Sequence, residues 1–201
     1  FLCAASVLAM VVIGGITRLT RSGLSIVEWN PIVGALPPLS HDAWQAAFDA
    51  YKQSPEGRLV NASMDLAGFK SIFFVEWLHR LVGRAVGVVV LVPLVYFAFT
   101  RRITRGRVVR VLGIFALGGV QGFLGWFMVR SGLENDPHVS PYRLMLHLGM
   151  ALVIYALFIW NALDELSGPR SIFQNPSPSL RPLAWATLLT VALTIAWGAM
   201  M

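Results

Sequence analysis

Five long apolar stretches, at residues 1–16, 69–99, 111–129, 144–163 and 183–201, leave this chain few ways to fold. Crossing the ~30 Å hydrocarbon core of a bilayer takes about 20 helical residues at ~1.5 Å each, and every stretch is of that order or longer. Hydrophobic residues make up 56% of the chain and charged residues 13%, against roughly 25% charged in an average soluble domain. The runs are continuous rather than alternating, which argues against membrane strands. Helices satisfy their own backbone polar groups in lipid. The expected fold class is all-α: a polytopic membrane protein built as a four-helix transmembrane bundle plus a fifth helix. Both ends of the sequence fall inside apolar runs. The expected organisation is therefore a bundle at 1–166 with an extracytoplasmic loop at 17–70, a cytoplasmic linker at 167–182, and the first helix of a second, truncated bundle at 183–201.

Charge orients the spans. The net charge of +6 would suggest nucleic acid for a soluble protein, but here it is concentrated beside membrane segments. Arg101, Arg102, Arg105, Arg107 and Arg110 follow the second span with no acid among them, which marks that loop as cytoplasmic. Residues 17–70 carry five basic and five acidic side chains and belong outside. Nucleic acid is thereby excluded as a partner, and the lipid bilayer takes its place. Cys3 is the single cysteine and is read as a small buried apolar side chain. Arg outnumbers Lys fourteen to two, which points to a GC-rich bacterium and so to its inner membrane, the mitochondrial inner membrane being the alternative.

The outer segment has structure of its own. Trp29, Pro31, Pro37 and Pro38 give a stiff non-helical stretch. Ser40 is positioned to cap a short helix whose Trp44, Ala47, Phe48 and Tyr51 share one face. That face is expected at headgroup level, with a cover over a cofactor site as the second reading. His41 and His138 are read as ordinary polar loop residues.

The second span carries polar residues that are costly in lipid unless paired or functional: Glu76, His79, Arg80 and Arg84. At ~100° per residue these four, with Gly83 and Gly87, fit an arc of about 140°. One face thus combines an acid, an imidazole and two guanidinium groups with two positions lacking side chains. A flat slot beside the histidine would suit a planar macrocycle; an ion-pair network with glycines serving only helix packing is the competing account. In the fourth span His147 stands one turn after Arg143. The second and fourth spans run in the same direction, and their histidines fall at similar depth in the outer half of the membrane. Together His79 and His147 are placed to supply both axial ligands of one haem iron. The arginines are then candidates for its carboxylates, since guanidinium forks match them. In the third span Gly118, Gly122 and Gly125 permit close helix approach, and Gln121 faces either the site or a neighbouring helix. A zinc protease lacks its HExxH here, and a di-iron bundle lacks its second E-x-x-H and its further glutamates.

These residues resemble a known family. The segment TRLTRSGLS at 17–25, Trp29 to Pro31, and Pro37 with Pro38 are similar to the stretch after the first helix of haem A synthases. So are Glu76, His79 and Arg80 with Gly83 and Arg84, then Gln121, Gly125 and Trp126, and finally Tyr142, Arg143 and His147. The resemblance runs from about Gly14 to Leu163. It implies eight membrane helices in two pseudo-symmetric halves, each with a histidine pair, this chain covering the first half. It implies haem O as the substrate of this half and haem b as the cofactor of the other. The reaction is oxidation of a ring methyl of haem O to a formyl group, giving haem A for cytochrome oxidase. His79 and His147 would be the iron ligands, Glu76 the acid required for catalysis, and Arg80 and Arg84 propionate partners. Implied partners are haem O synthase, oxidase assembly factors and a second copy of the chain. Some bacterial members carry a cysteine pair in the first outer loop; residues 29–70 contain no cysteine. Residues 195–201 faintly echo residues 11–16, as the start of a second repeat would. From the residues alone, an electron-carrying b-type cytochrome and a transporter with an intramembrane proton relay stand as the other function classes.

Overall fold

The computed structural model describes residues 1–30, 33–134, 136–167 and 180–200. Every regular element among them is helical: α1 (Leu2–Leu19), a 3-10 turn (Val33–Ala35), α2 (His41–Gln53), α3 (Pro55–Leu59), α4 (Leu66–Phe99), α5 (Arg105–Glu134), α6 (Pro141–Ser167) and α7 (Leu180–Met200). Five of these helices, α1, α4, α5, α6 and α7, are long and apolar enough to cross a membrane. The chain is an integral membrane protein of the all-α class. The linker expected at 167–182 falls, for 168–179, outside the described residues.

Hydropathy located the spans but not the helix ends. With 34 and 30 residues, α4 and α5 are roughly 50 and 45 Å long, well beyond the apolar core. α4 starts at Leu66 because Asp65 caps it, its Oδ1 accepting from the Gly68 amide at 2.8 Å. The arginine-rich loop shrinks in the same way, since Arg105, Arg107 and Arg110 belong to the first turns of α5. Two of them pair with acids at the end of α6: Arg107 with Glu165 at 2.6 Å and Arg110 with Asp164 at 2.8 Å.

Among the described residues, α1, α4, α5 and α6 form a closed ring in that order, with α7 laid against α6. α4 and α6 lie diagonally, and no Cα of one comes within 8 Å of the other. The inner half of the ring is closed by Val7, Ile114 and Ile154 with Val86, Leu117 and Met150 around them.

Outside the ring, α2 and α3 form a small hairpin on the protruding end of α4. Ser40 caps α2 as expected, accepting from the Ala43 amide at 3.1 Å. The aromatic face is not free for headgroups: Trp44 and Tyr51 are buried against Phe69 and Phe73 of α4, with Trp44 edge-on to Phe73 at 4.9 Å. Aromatic side chains this large are better removed from water by other aromatics than left in the interface. Gly57 allows the sharp turn into α3, because a Cβ there would sit 2.1 Å from the Tyr51 carbonyl oxygen. Burial pushes the Glu56 carboxyl up to about 7, partly offset by the Tyr51 hydroxyl at 3.3 Å. It also pushes Tyr51 up to about 12.

Candidate functional site

The charged face of α4 is built around one carboxylate. Glu76 is 2% exposed, and its two oxygens collect every donor within reach. Oε1 takes the Arg80 guanidinium through Nη2 at 2.6 Å and Nε at 3.1 Å. Oε2 takes the Ser25 hydroxyl and the Ile26 amide, both at 2.8 Å. A buried charge is tolerable only with such compensation. Arg80 is then shared with the backbone opposite, donating to the Ile26 carbonyl at 3.0 Å and the Glu28 carbonyl at 3.3 Å, and it lies 5.4 Å from the Trp29 ring centroid. One turn on, Arg84 Nη2 donates to the Asn30 carbonyl at 3.3 Å, and Trp77 Nε1 donates to the Ala35 carbonyl at 3.1 Å.

The acid and both guanidinium groups therefore share one task that the helical wheel did not reveal. They hold residues 25–30 as a strap at one end of the ring, and Trp77 holds Ala35 beside it. The other edge of the strap is fixed by Leu24, whose methyl carbons fill the space at Gly132 of α5, 2.7 Å from where a Cβ would be. Ser22 and Ser25 are fully buried beneath it. Between strap and α5 remains a cavity of about 210 Å³ lined by Ile26, Trp29, Arg80, Trp126 and Arg130 among others. It is smaller than the ~300–1,000 Å³ that holds a whole drug-sized ligand.

The two histidines lie below this layer on the diagonal helices, within electrostatic range of one another. Each ring is wedged against a glycine of a neighbouring helix: His79 against Gly14 of α1, His147 against Gly125 of α5. The Nδ1 atoms of both rings are buried without a hydrogen-bond partner. Gln121 of α5 donates to the His147 carbonyl at 3.0 Å and stands 3.4 Å from its Nε2, while its own Oε1 is buried and unpartnered. Sequence left open whether Gln121 faces the site or a neighbouring helix; it does both, reaching α6 at the histidine itself. Arg143 donates to the Phe127 carbonyl at 2.7 Å and lies 3.8 Å from the Phe127 ring centroid.

The glycines of α4 divide. Gly87 has nothing within 4 Å of a built Cβ, as an open slot requires, whereas Gly83 is met by the Met10 methyl at 3.3 Å and is a packing position against α1. The structure thus brings Glu76 and Arg80 together, places His79 and His147 on diagonal helices within electrostatic range of one another, and commits Arg80 to the strap. Sequence reasoning missed Ser25, Ile26 and Met10 as partners of this face. Ser25 stood in the motif at 17–25 with nothing to say that it meets a carboxylate fifty-one residues on.

The donor set limits what the site can hold. Among the described residues no group of three or more His, Cys, Asp or Glu side chains could hold a bare metal ion. Two imidazoles suffice only where the metal arrives with its remaining ligands, as haem iron does in its macrocycle. Two histidines on diagonal helices whose Cα atoms stay more than 8 Å apart suit that arrangement. Fold and site define a membrane-embedded helical bundle with a histidine on each of two diagonal helices beside a polar strap.

Comparison with known proteins carries this further. The family described as cytochrome oxidase assembly protein (COX15-CtaA) matches residues 1–201, and the chain belongs to it. Among its relatives, the heme A synthase of Rhodospirillum centenum is 53% identical over 197 residues, covering 98% of this chain and 52% of that protein. The heme A synthase of Caulobacter vibrioides is 53% identical over 177 residues, covering 88% and 52%. That of Nitrosospira multiformis is 50% identical over 175 residues, covering 87% and 49%. The chain spans about half the length of the curated relatives it matches. No solved structure matches it.

Proposed function

We propose that this chain forms one half of a heme A synthase in the bacterial inner membrane, an oxidoreductase that converts a ring methyl of haem O to a formyl group. The observation that carries the reading is the pair His79 and His147 on diagonal helices with no Cα within 8 Å of each other, both partly buried with Nδ1 out of solvent. The relatives' shared name supports it. Haem O is the substrate here, and a second bundle, in the part of the relatives this chain does not cover, is the proposed place for haem b.

Each residue then has a task. His79 and His147 are the axial ligands. Arg84 and Arg143, beside the pair on α4 and α6, are the proposed propionate partners. Arg80 pins the strap, and Gly87 leaves room on the α4 side. Gln121 fixes the α6 backbone at His147. Glu76, one turn from His79, is the proposed proton acceptor. Its carboxylate faces only donors, and the Ser25 hydroxyl on Oε2 gives it a side-chain route toward the strap. The strap keeps bulk water from the outer mouth.

The test uses the full-length protein. Glu76→Gln is expected to retain haem while extracted pigments contain no haem A; haem A in that extract would remove Glu76 from the reaction. His79→Ala and His147→Ala are each expected to abolish the low-spin bis-histidine spectrum of the substrate haem. Parent pigments lacking any hydroxylated or formyl haem would instead favour an electron-carrying cytochrome.

A further inference from the structure

The ring planes of ligating histidines are usually fixed by a hydrogen bond from the second nitrogen to a carboxylate, carbonyl or water. Here no protein group partners either Nδ1 atom, and both are buried. The last side-chain torsion of histidine is soft, so contact at the ring edge can set the plane. A Cβ built on Gly14 would sit 3.1 Å from His79 Cε1 and 3.6 Å from its Nδ1. One built on Gly125 would sit 3.0 Å from His147 Cε1, 3.5 Å from Nδ1 and 3.7 Å from Nε2. Both distances to Cε1 are closer than ordinary carbon–carbon packing at ~3.5–4.0 Å. The same edge of each imidazole is thus seated on bare backbone, and each seat belongs to a helix beside the ligand helix, α1 for α4 and α5 for α6. Other glycines on these helices behave differently: Gly15, Gly118, Gly119 and Gly122 have nothing within 4 Å of a built Cβ.

We infer that Gly14 and Gly125 are positioning residues that set the ring orientations of His79 and His147 by steric contact at the imidazole edge. This rests on the histidines being iron ligands, as proposed above. An added methyl at either glycine pushes the imidazole edge aside by a few tenths of an ångström without removing the ligand. The neighbouring glycines, standing in open space, are free to accept the same methyl.

Electron paramagnetic resonance of the ferric full-length protein reads ring orientation directly. Gly14→Ala and Gly125→Ala are each expected to keep the low-spin bis-histidine optical spectrum but shift the largest g value of the substrate-haem signal. Gly15→Ala and Gly119→Ala are expected to match the parent. Unshifted g values in both seat variants overturn the inference, as does an equal shift in the controls. If Gly125→Ala does not accumulate, the double variant Gly125→Ala/His147→Ala is expected to accumulate like His147→Ala alone, because the clash is with the ring; failure of that rescue also overturns it. Ligation is judged separately. A low-spin substrate-haem signal that survives His147→Ala defeats the ligand assignment, whereas its loss beside unchanged Gly125→Ala g values defeats only the seats.

Discussion

His79 and His147 meet across the same bundle from very different surroundings. His79 shares its helix with Glu76, Arg80 and Arg84, and all three are bound to the strap. His147 has no acid near it: its neighbour is the neutral amide of Gln121, and Arg143 is turned to a carbonyl and a ring on α5. One side of the site is therefore tied to a charged lock that reaches the outer surface, and the other is held by packing and a single amide. Disturbance from the outer segment is expected to reach the site through His79, and disturbance within the helix ring through His147.

Removing the lock should have the largest effect. Glu76→Ala leaves the Arg80 guanidinium buried without its carboxylate, and breaking a buried pair in this way costs about 3–5 kcal/mol. Limited proteolysis is expected to cut within residues 20–30 of the variant and to leave that segment of the parent intact; equal resistance would mean the strap is held by Leu24 alone. A smaller change follows from Gln121→Leu, which deletes one partly buried hydrogen bond, worth about 1 kcal/mol. It should lower the thermal midpoint modestly and, if His147 is a ligand as proposed, shift the substrate-haem spectrum without exposing the strap.

The smallest effect lies furthest from the pair, in the α2–α3 hairpin. Glu56 titrates near 7 when folded, above its ordinary 4.5, so the folded state binds the proton more tightly than the unfolded one. The stability this adds is complete at low pH and is lost as pH rises from about 4.5 through 7. Glu56→Gln is expected to flatten that slope, raising hairpin stability at pH 8 by roughly 1–2 kcal/mol relative to the parent. Fluorescence of Trp44, packed on the same hairpin, reads it against pH. A slope unchanged by the substitution would place the titration elsewhere.

How much of this could be read from the residues differs between levels. The five crossings were legible because lipid demands continuous apolar runs, and the existence of α2 was legible from Ser40 and its aromatic face. Helix lengths were not, since hydropathy reports the bilayer while Asp65 and the first turns of α5 lie outside it. The polar face of α4 was recognised as meaningful through Glu76, Arg80 and Arg84, yet its partners were hidden. Ile26 and Glu28 contribute backbone groups, which leave no trace in side-chain pattern, and Ser25 is distant along the chain. Gly83 and Gly87 looked equivalent on the wheel and were separated only by Met10 of another helix. Gly14 and Gly125 were visible as small residues, but which ring each one touches depends on the order of helices around the bundle.

That order has a mechanical consequence. Because no Cα of α4 comes within 8 Å of α6, the gap between them is gauged by α1 and α5, which act as calipers on either side. Val7 and Ile114 grip Ile154 at the inner end, and Gly14 and Gly125 stand at the jaws. A bulkier residue at the grip, far from either histidine, would open the jaws at the outer end. The separation of the two imidazoles is thus a property of side chains that never approach the substrate, and small changes in core volume on α1 or α5 would tune it.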